Sequence, residues 1–291
     1  MQFEPVSLSW QDVYLNYFVK MQEKPSDLSF VNIFGWAEEY GLQLIEKNNF
    51  LWLKQTSPTE IFWPPVGDWE VEWNNVLTSL PFPVYSLERV PGSLAFIWEK
   101  QFSNIRIIPQ REHWDYVYLV KELIELSGNR FHKKKNLLNQ FFKKYNYVYK
   151  ELQPKDIEEV LTLQTEWCLW KECADSKALE AENKAIFRVL SSWEQLKNLF
   201  GGAIWINNQM VAYTIAEPLD HETLVIHFEK GCPKIKGIYQ AINYLFLKNS
   251  ADNFKFVNRE QDLGDIGLRK AKKSYNPYGY VKKYKVDLGL S

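Results

Sequence analysis

Between residues 258 and 262 the chain reads Asn258-Arg259-Glu260-Gln261-Asp262, five polar or charged side chains in unbroken succession. They follow apolar residues at Phe254, Phe256 and Val257, which predict the end of a strand. Such a run at a strand end is costly unless it is solvated or used. It is therefore either the floor of a site or a charged turn closed by local ion pairs. Acyl transfer to an amine or hydroxyl needs a base for the nucleophile and an acid for the leaving group. Glu260, Glu229 and Asp262 are the candidate bases, and Tyr275 is the candidate acid. His227 is either a further titratable group or a hydrogen-bonded interior imidazole. Arg259 has the planar fork for a carboxylate or phosphate, or it closes an ion pair with Asp262 or Glu229. Asn258 completes the run as a substrate-binding candidate.

A second stretch, Lys230-Gly231-Cys232-Pro233-Lys234-Ile235-Lys236-Gly237, lies between a predicted strand and a predicted helix. Helix starts present unpaired N–H groups and a partial positive charge, so they hold phosphates. Lys230, Gly231, Lys234, Lys236 and Gly237 are candidates for that role; the alternative is an ordinary connecting loop. A third stretch is basic. Arg130, His132, Lys133, Lys134, Lys135, Lys143 and Lys144 surround an apolar stripe of Leu137, Leu138, Phe141, Phe142 and Tyr145, which predicts an amphipathic helix. Arg130, Lys133, Lys134 and Lys135 would meet a polyanion such as tRNA, or form a solvated face. Cys168 and Cys173 lack the spacing of a zinc site, and no metal is expected. With Cys232 they read as free thiols.

These groups need elements to position them. Helical spacing predicts helices over residues 10–21, 30–40, 69–80, 156–168, 179–199 and 237–247. Alternation predicts strands at 42–45 and 50–54 around an Asn48-Asn49 turn, and at 203–206 and 211–216 around Asn207-Asn208. Further strands are expected at 59–63, 84–89, 105–108, 116–120, 223–229 and 254–257, and a last one from Tyr278 to Val286. If 223–229 and 254–257 are parallel neighbours joined by the 237–247 helix, their C-terminal ends meet, where ligands of open sheets bind. Glu229 and Glu260 would then share one cavity, which raises one of their pKa values. Interspersed strands and helices make the class α/β or α+β.

The 291 residues, 46% of them hydrophobic, suffice for two cores, and 12 Trp, 16 Tyr and 18 Phe add a heavy aromatic load. A net charge of −1 excludes a global field that draws in nucleic acid or membrane, so any anion site is local. The first residues lack a signal-peptide pattern, and no stretch reaches the ~18 apolar residues of a spanning helix. A cytoplasmic protein without membrane insertion is expected.

The halves also echo each other. Arg111-Glu112 resembles Arg259-Glu260, and Leu51-Trp52-Leu53 resembles Ile204-Trp205-Ile206, at offsets of roughly 148 and 153 residues. This predicts a domain at 1–129, a basic linker helix at 130–146 and a second domain at 147–291 that carries the site. The order of elements resembles the GNAT acyltransferase fold, here twice. Several strings are similar to the phosphatidylglycerol lysyltransferase C-terminal family: Asn258 to Gly264, Gly267 to Lys272, Ser274 to Pro277, His227 to Lys230, Tyr239 to Asn243, Ser127 to Arg130 and Lys133 to Asn136. The resemblance implies an α+β, tandem duplicated GNAT fold. It implies an acyl- or aminoacyl-transferase whose donor is aminoacyl-tRNA or a coenzyme A thioester. GNAT proteins hold the pyrophosphate on a loop with two small residues after its Gln or Arg; here the matching positions are Lys234, Gly237 and Tyr239. The alternative is a binding module that keeps the fold without the chemistry.

Overall fold

The computed structural model describes residues 2–289. In chain order its elements are β1 (Glu4–Pro5), α1 (Gln11–Phe18), α2 (Phe30–Gly35), α3 (Ala37–Tyr40), β2 (Gln43–Lys47), β3 (Phe50–Gln55), β4 (Ile61–Phe62), α4 (Trp73–Thr78), β5 (Ser86–Pro91), α5 (Gly92–Gln101) and β6 (Arg106–Pro109). Then come β7 (Asp115–Leu119), α6 (Val120–Glu125), α7 (His132–Lys144), β8 (Tyr147–Glu151), α8 (Ile157–Lys171), α9 (Lys177–Ser191), β9 (Phe200–Ile206), β10 (Gln209–Pro218) and β11 (Thr223–Gly231). The chain ends with α10 (Ile238–Ser250), β12 (Phe256–Asn258), α11 (Ile266–Lys273), β13 (Gly279–Val281) and β14 (Lys283–Asp287). Two compact units result. One comprises 2–115, 261–266 and 280–289; the other comprises 116–260 and 267–279. The division falls at 115/116, and the basic helix read from sequence as a linker is α7, inside the second unit. Its apolar stripe holds it there, with Phe142 against Tyr244 of α10 at 5.6 Å between ring centres.

The first unit's sheet has the order β1–β2–β3–β4–β5–β14–β6, and the second contains β8–β9–β10–β11–β12–β7. Read in parallel, the two are one pattern. Three antiparallel pairings lead to a parallel pair, β4 with β5 or β11 with β12, and then to an antiparallel sixth strand. This is the tandem GNAT fold, and the class is α+β with mixed sheets. The sixth strands are exchanged along the chain: β14, last in sequence, completes the first sheet, and β7, which directly follows the first unit, completes the second.

The repeat therefore lies in strand order rather than at the short matches. Asn48-Asn49 and Asn207-Asn208, about 159 residues apart, both take positive φ between 51° and 63°. Paired left-handed residues are what a two-residue hairpin turn demands. Leu51–Leu53 follows its turn, whereas Ile204–Ile206 precedes its own. Likewise Arg111-Glu112 precedes β7, whereas Arg259-Glu260 follows β12.

The first unit's core is aromatic: Trp52, Trp73 and Trp98 are fully buried, with Trp73 edge-on to Trp98 at 5.2 Å. In the second unit Ile238, Ala241, Ile242, Leu245 and Phe246 of α10 are buried, and α10 packs on β9, β10 and β11. Cys168 and Cys173 are not free thiols as expected. They form a disulfide across the end of α8, where left-handed Glu172 reverses the chain and brings their Cα atoms within 5.0 Å. Cys232 is free. Among the described residues no helix is long and apolar enough to cross a membrane.

Candidate functional site

β11 and β12 pair only over Thr223–Val225 against Phe256–Asn258, although β11 continues to Gly231. Beyond Asn258 the chain stays with β7, since Arg259 N–H donates to the Tyr116 carbonyl and Tyr116 N–H to the Glu260 carbonyl. The sheet opens there, and polar side chains span the gap. Arg259 Nη2 donates to Glu229 Oε1 at 2.9 Å, and Asn243 of α10 donates to the other Glu229 oxygen at 3.2 Å. Glu260 Oε1 lies 2.9 Å from His227 Nδ1, and His227 Nε2 lies 3.0 Å from Glu217 on β10. Asn258 Oδ1 accepts the Glu260 N–H at 2.8 Å and so fixes the turn. Glu260 takes φ 54°, a left-handed conformation uncommon for a residue other than glycine, asparagine or aspartate.

His227 sits at a register shift in the β10–β11 pairing, between Ile215 and Ala216. Simple alternation along 223–229 does not survive that bulge, which turns the imidazole onto two carboxylates. Burial disfavours its charge, but the hydrogen bonds to Glu217 and Glu260 outweigh it and raise the pKa to about 9. The ring is an imidazolium at neutral pH, donating from both nitrogens. Glu229 and Glu260 do not confront each other as a like-charged pair; each has its own cation.

The raised pKa fixes a sign. Stability from this pairing is fully present below imidazole's ordinary 6.5 and is lost as pH rises through about 9. The loss should approach about 3 kcal/mol. Urea denaturation between pH 6 and 10 should show the decline in wild type and not in His227→Gln. An identical decline in both would assign it to other groups.

Tyr275 is buried beside this cluster. Its ring centre is 4.9 Å from the Arg259 guanidinium and 4.1 Å from Lys134 Nζ, and Gln240 Nε2 donates to its hydroxyl at 3.2 Å. Burial raises its pKa while Arg259 pulls the other way, so the hydroxyl keeps its proton and can donate. The structure thus assembles Asn258, Arg259, Glu260, Glu229, Tyr275 and Lys134.

Other candidates lie elsewhere. Asp262 belongs to the first unit, where its carboxylate pairs with Arg111 at 3.2 Å; the chain leaves the second unit after Glu260. Arg259 accordingly pairs with Glu229, not Asp262. Lys230 is buried away from the loop, with Nζ 2.7 Å from Glu182 and 4.0 Å from the Trp167 ring centre. Arg130 pairs with Glu122. Lys133 and Lys135 are exposed on α7, and Lys234 and Lys236 are exposed on the loop. Gly231 is buried, and a Cβ there would touch Ile238 at 3.1 Å.

The loop differs from a phosphate cradle. Gly237 has φ 84°, and a Cβ there would fall 2.4 Å from the Leu137 carbonyl oxygen, so α7 backbone covers the start of α10 with an acceptor. Tyr239 stands where a small residue is expected, its hydroxyl fixed by Trp167 Nε1 at 2.9 Å.

Sequence reasoning missed Glu217, Gln240 and Asn243. Each had a signal: Glu217 is a carboxylate closing the largely apolar run from Met210 to Ala216, and Gln240 and Asn243 are amides three apart among Ile238, Ala241 and Ile242.

The chain is similar to a conserved protein of unknown function from Bacteroides thetaiotaomicron, with TM-score 0.90 and 30% identity over 99% of both chains. The structure of L-PGS from Bacillus licheniformis shares the fold at TM-score 0.63 and 13% identity, over 99% of this chain and 94% of that one. An uncharacterised protein of Mycoplasmoides gallisepticum is 28% identical over 195 residues, 66% of this chain; the chain spans 61% of that relative's length. With its residues 18–287 matching from end to end of the two-unit fold, the chain belongs to the phosphatidylglycerol lysyltransferase, C-terminal family.

Proposed function

We propose that the second unit transfers an aminoacyl group from the ester of an aminoacyl-tRNA to a hydroxyl or amine acceptor. The observation that carries this reading is the Glu217–His227–Glu260 chain ending at the open edge between β11 and residues 259–260. Glu260 would take the acceptor's proton. His227 holds the carboxylate in position through its Nδ1, and the Tyr275 hydroxyl protonates the departing ribose oxygen. Family membership supports group transfer of this class.

The covered start of α10 disfavours a coenzyme A donor. A pyrophosphate needs N–H donors and close approach, and the Leu137 carbonyl and Tyr239 oppose both. The exposed Lys133 and Lys135 on α7 would meet tRNA phosphates, whose binding weakens with salt. A second reading, a binding module without turnover, is favoured by the Glu229–Arg259 ion pair, which already satisfies one candidate base.

The test is to incubate the chain with tRNA charged with labelled lysine or other amino acids, and separately with labelled acetyl-coenzyme A, each with amine and hydroxyl acceptors. Ester consumption with product from charged tRNA is expected, and none from the thioester. The double substitution Lys133→Glu with Lys135→Glu should weaken tRNA binding and flatten its salt dependence. Binding of charged tRNA without turnover would favour the module; transfer from the thioester would reverse the donor assignment.

A further inference from the structure

The Cys168–Cys173 disulfide closes a corner between residues five positions apart. A bond across so short a loop restrains the unfolded chain far less than one between distant segments, so its effect is local. The backbone keeps the corner without it. Left-handed Glu172 donates its N–H to the Cys168 and Leu169 carbonyls. Asp175 N–H donates to the Glu172 carbonyl at 2.9 Å, and Ser176 N–H to the Cys173 carbonyl at 3.1 Å. The two cysteines therefore stay within bonding reach after reduction. Cys168 is half-buried and Cys173 is buried, so a reductant meets the bond from the Cys168 side. Disulfides within reach of solvent are more labile than sealed ones and serve regulation. The corner is also wired inward. Trp167, next to Cys168, is buried; its Nε1 donates to the Tyr239 hydroxyl on α10 at 2.9 Å, and its ring centre lies 4.0 Å from Lys230 Nζ. One turn earlier, Gln164 donates to Cys168 Sγ at 3.9 Å and to Asn183 of α9 at 3.0 Å, and accepts from the Tyr213 hydroxyl of β10 at 2.6 Å.

We propose that Cys168 and Cys173 are a reversible dithiol–disulfide couple whose oxidised state clamps the last turn of α8 and, with it, the Trp167–Tyr239 contact at the start of α10. The reductant is a dithiol. One of its thiolates attacks Cys168 Sγ, the S–S bond breaks, and Cys173 leaves as a thiolate that takes a proton. The second thiolate of the reductant then displaces Cys168 from the mixed disulfide, and Cys168 takes a proton in turn. Two electrons and two protons pass to the chain, and the reductant becomes the disulfide. Reduction leaves the end of α8 to its backbone hydrogen bonds, and such helix ends fray. Trp167 sits in that turn, so Tyr239 loses a fixed partner while Lys230 keeps Glu182. The device acts on conformation and does not depend on whether the second unit transfers a group.

The test titrates the whole chain, without denaturant, against mixtures of reduced and oxidised dithiothreitol. Free thiols are then trapped with N-ethylmaleimide in a denaturing quench and read by mass spectrometry at residues 168, 173 and 232. Cys168 and Cys173 should become trappable together in one two-electron transition and return to the disulfide on reoxidation, whereas Cys232 is trapped in both states. On reduction the Trp167 indole N–H resonance, assigned with Trp167→Phe, should shift. Amide exchange over residues 165–176 should quicken at least about tenfold, with β9 and β10 unchanged. The double substitution Cys168→Ser with Cys173→Ser should show the reduced pattern at every ratio of reductant to oxidant. If that protein does not fold, the wild-type titration decides alone, since it needs no variant. The proposal is overturned if the bond yields to the dithiol only in urea, or if reoxidation joins either cysteine to Cys232. It is equally overturned if the reduced or double-serine protein keeps the oxidised protein's Trp167 resonance and exchange rates.

Discussion

Glu260→Gln is expected to remove aminoacyl transfer, lowering the single-turnover rate about 10²- to 10⁴-fold, while leaving the fold in place. The amide is nearly isosteric with the carboxylate. Its oxygen can still accept from His227 Nδ1, which lies 2.9 Å from Glu260 Oε1. The backbone turn is fixed independently by Asn258, so the left-handed residue stays where it is. What the amide cannot do is take a proton. Tyr275→Phe should show a smaller loss, concentrated where leaving-group departure limits the rate. Melting curves and single-turnover assays on the same preparations separate the outcomes. If Glu260→Gln keeps transfer within about threefold, Glu260 is a structural partner of His227 and the base lies elsewhere. If it unfolds the second unit, the ion pair is chiefly structural.

The largest stability effect is expected from Lys283→Met in the first unit. Lys283 on β14 is fully buried, and its Nζ touches both Asp27 and Asp115, the latter at 2.6 Å. Asp27 also takes Arg89 at 2.6 Å, and Asp115 accepts from the Ser26 N–H and hydroxyl, both at 2.9 Å. Burial pushes the Lys283 pKa well below its ordinary value, and it is the contact with two carboxylates that keeps the ammonium charged, so that two carboxylates and two cations neutralise one another out of water. Removing one cation leaves a net buried negative charge, which costs about 3–5 kcal/mol. Methionine fills most of the lysine volume, so lost charge rather than lost packing is measured. Adding Asp115→Asn should restore a good part of the loss, because one carboxylate then needs no counterion. Urea unfolding of the single and double variants tests this. A single-variant loss under about 1 kcal/mol would show that the cluster rearranges or admits water.

Local pattern carried the reading of much of the second unit. The 223–229 strand, the 237–247 helix and the 254–257 strand were legible because alternation and helical spacing are local properties, and one helical crossover joins the parallel pair. Arg259 and Glu229 were legible as a possible pair for the same reason. Asp262 was misplaced because nothing in Glu260-Gln261-Asp262 marks a change of unit between the first and second residues. The exchange of β7 and β14 was hidden similarly: alternation at Tyr116–Val120 and Tyr278–Val286 announces strands but not the sheets that receive them. The His227–Glu217 pair depends on a bulge, and a one-residue insertion erases the period that would have revealed it. The Cys168–Cys173 bond needs the left-handed reversal at Glu172, which spacing alone does not show.

The placement of β14 bears on how the protein is made. The strand that sits between β5 and β6 hydrogen-bonds across some 200 residues, as in the contact of Ser86 with Asp287. A ribosome releases the first unit's β1 to β6 long before it releases the strand that joins them. Until then β5 and β6 each present an open edge, and Asp27 waits without Lys283, a state prone to mispairing and attractive to chaperones. The second unit meets no such delay, because β7 precedes the rest of its sheet. Synthesis therefore runs opposite to completion: the half that is translated first is the last that can close.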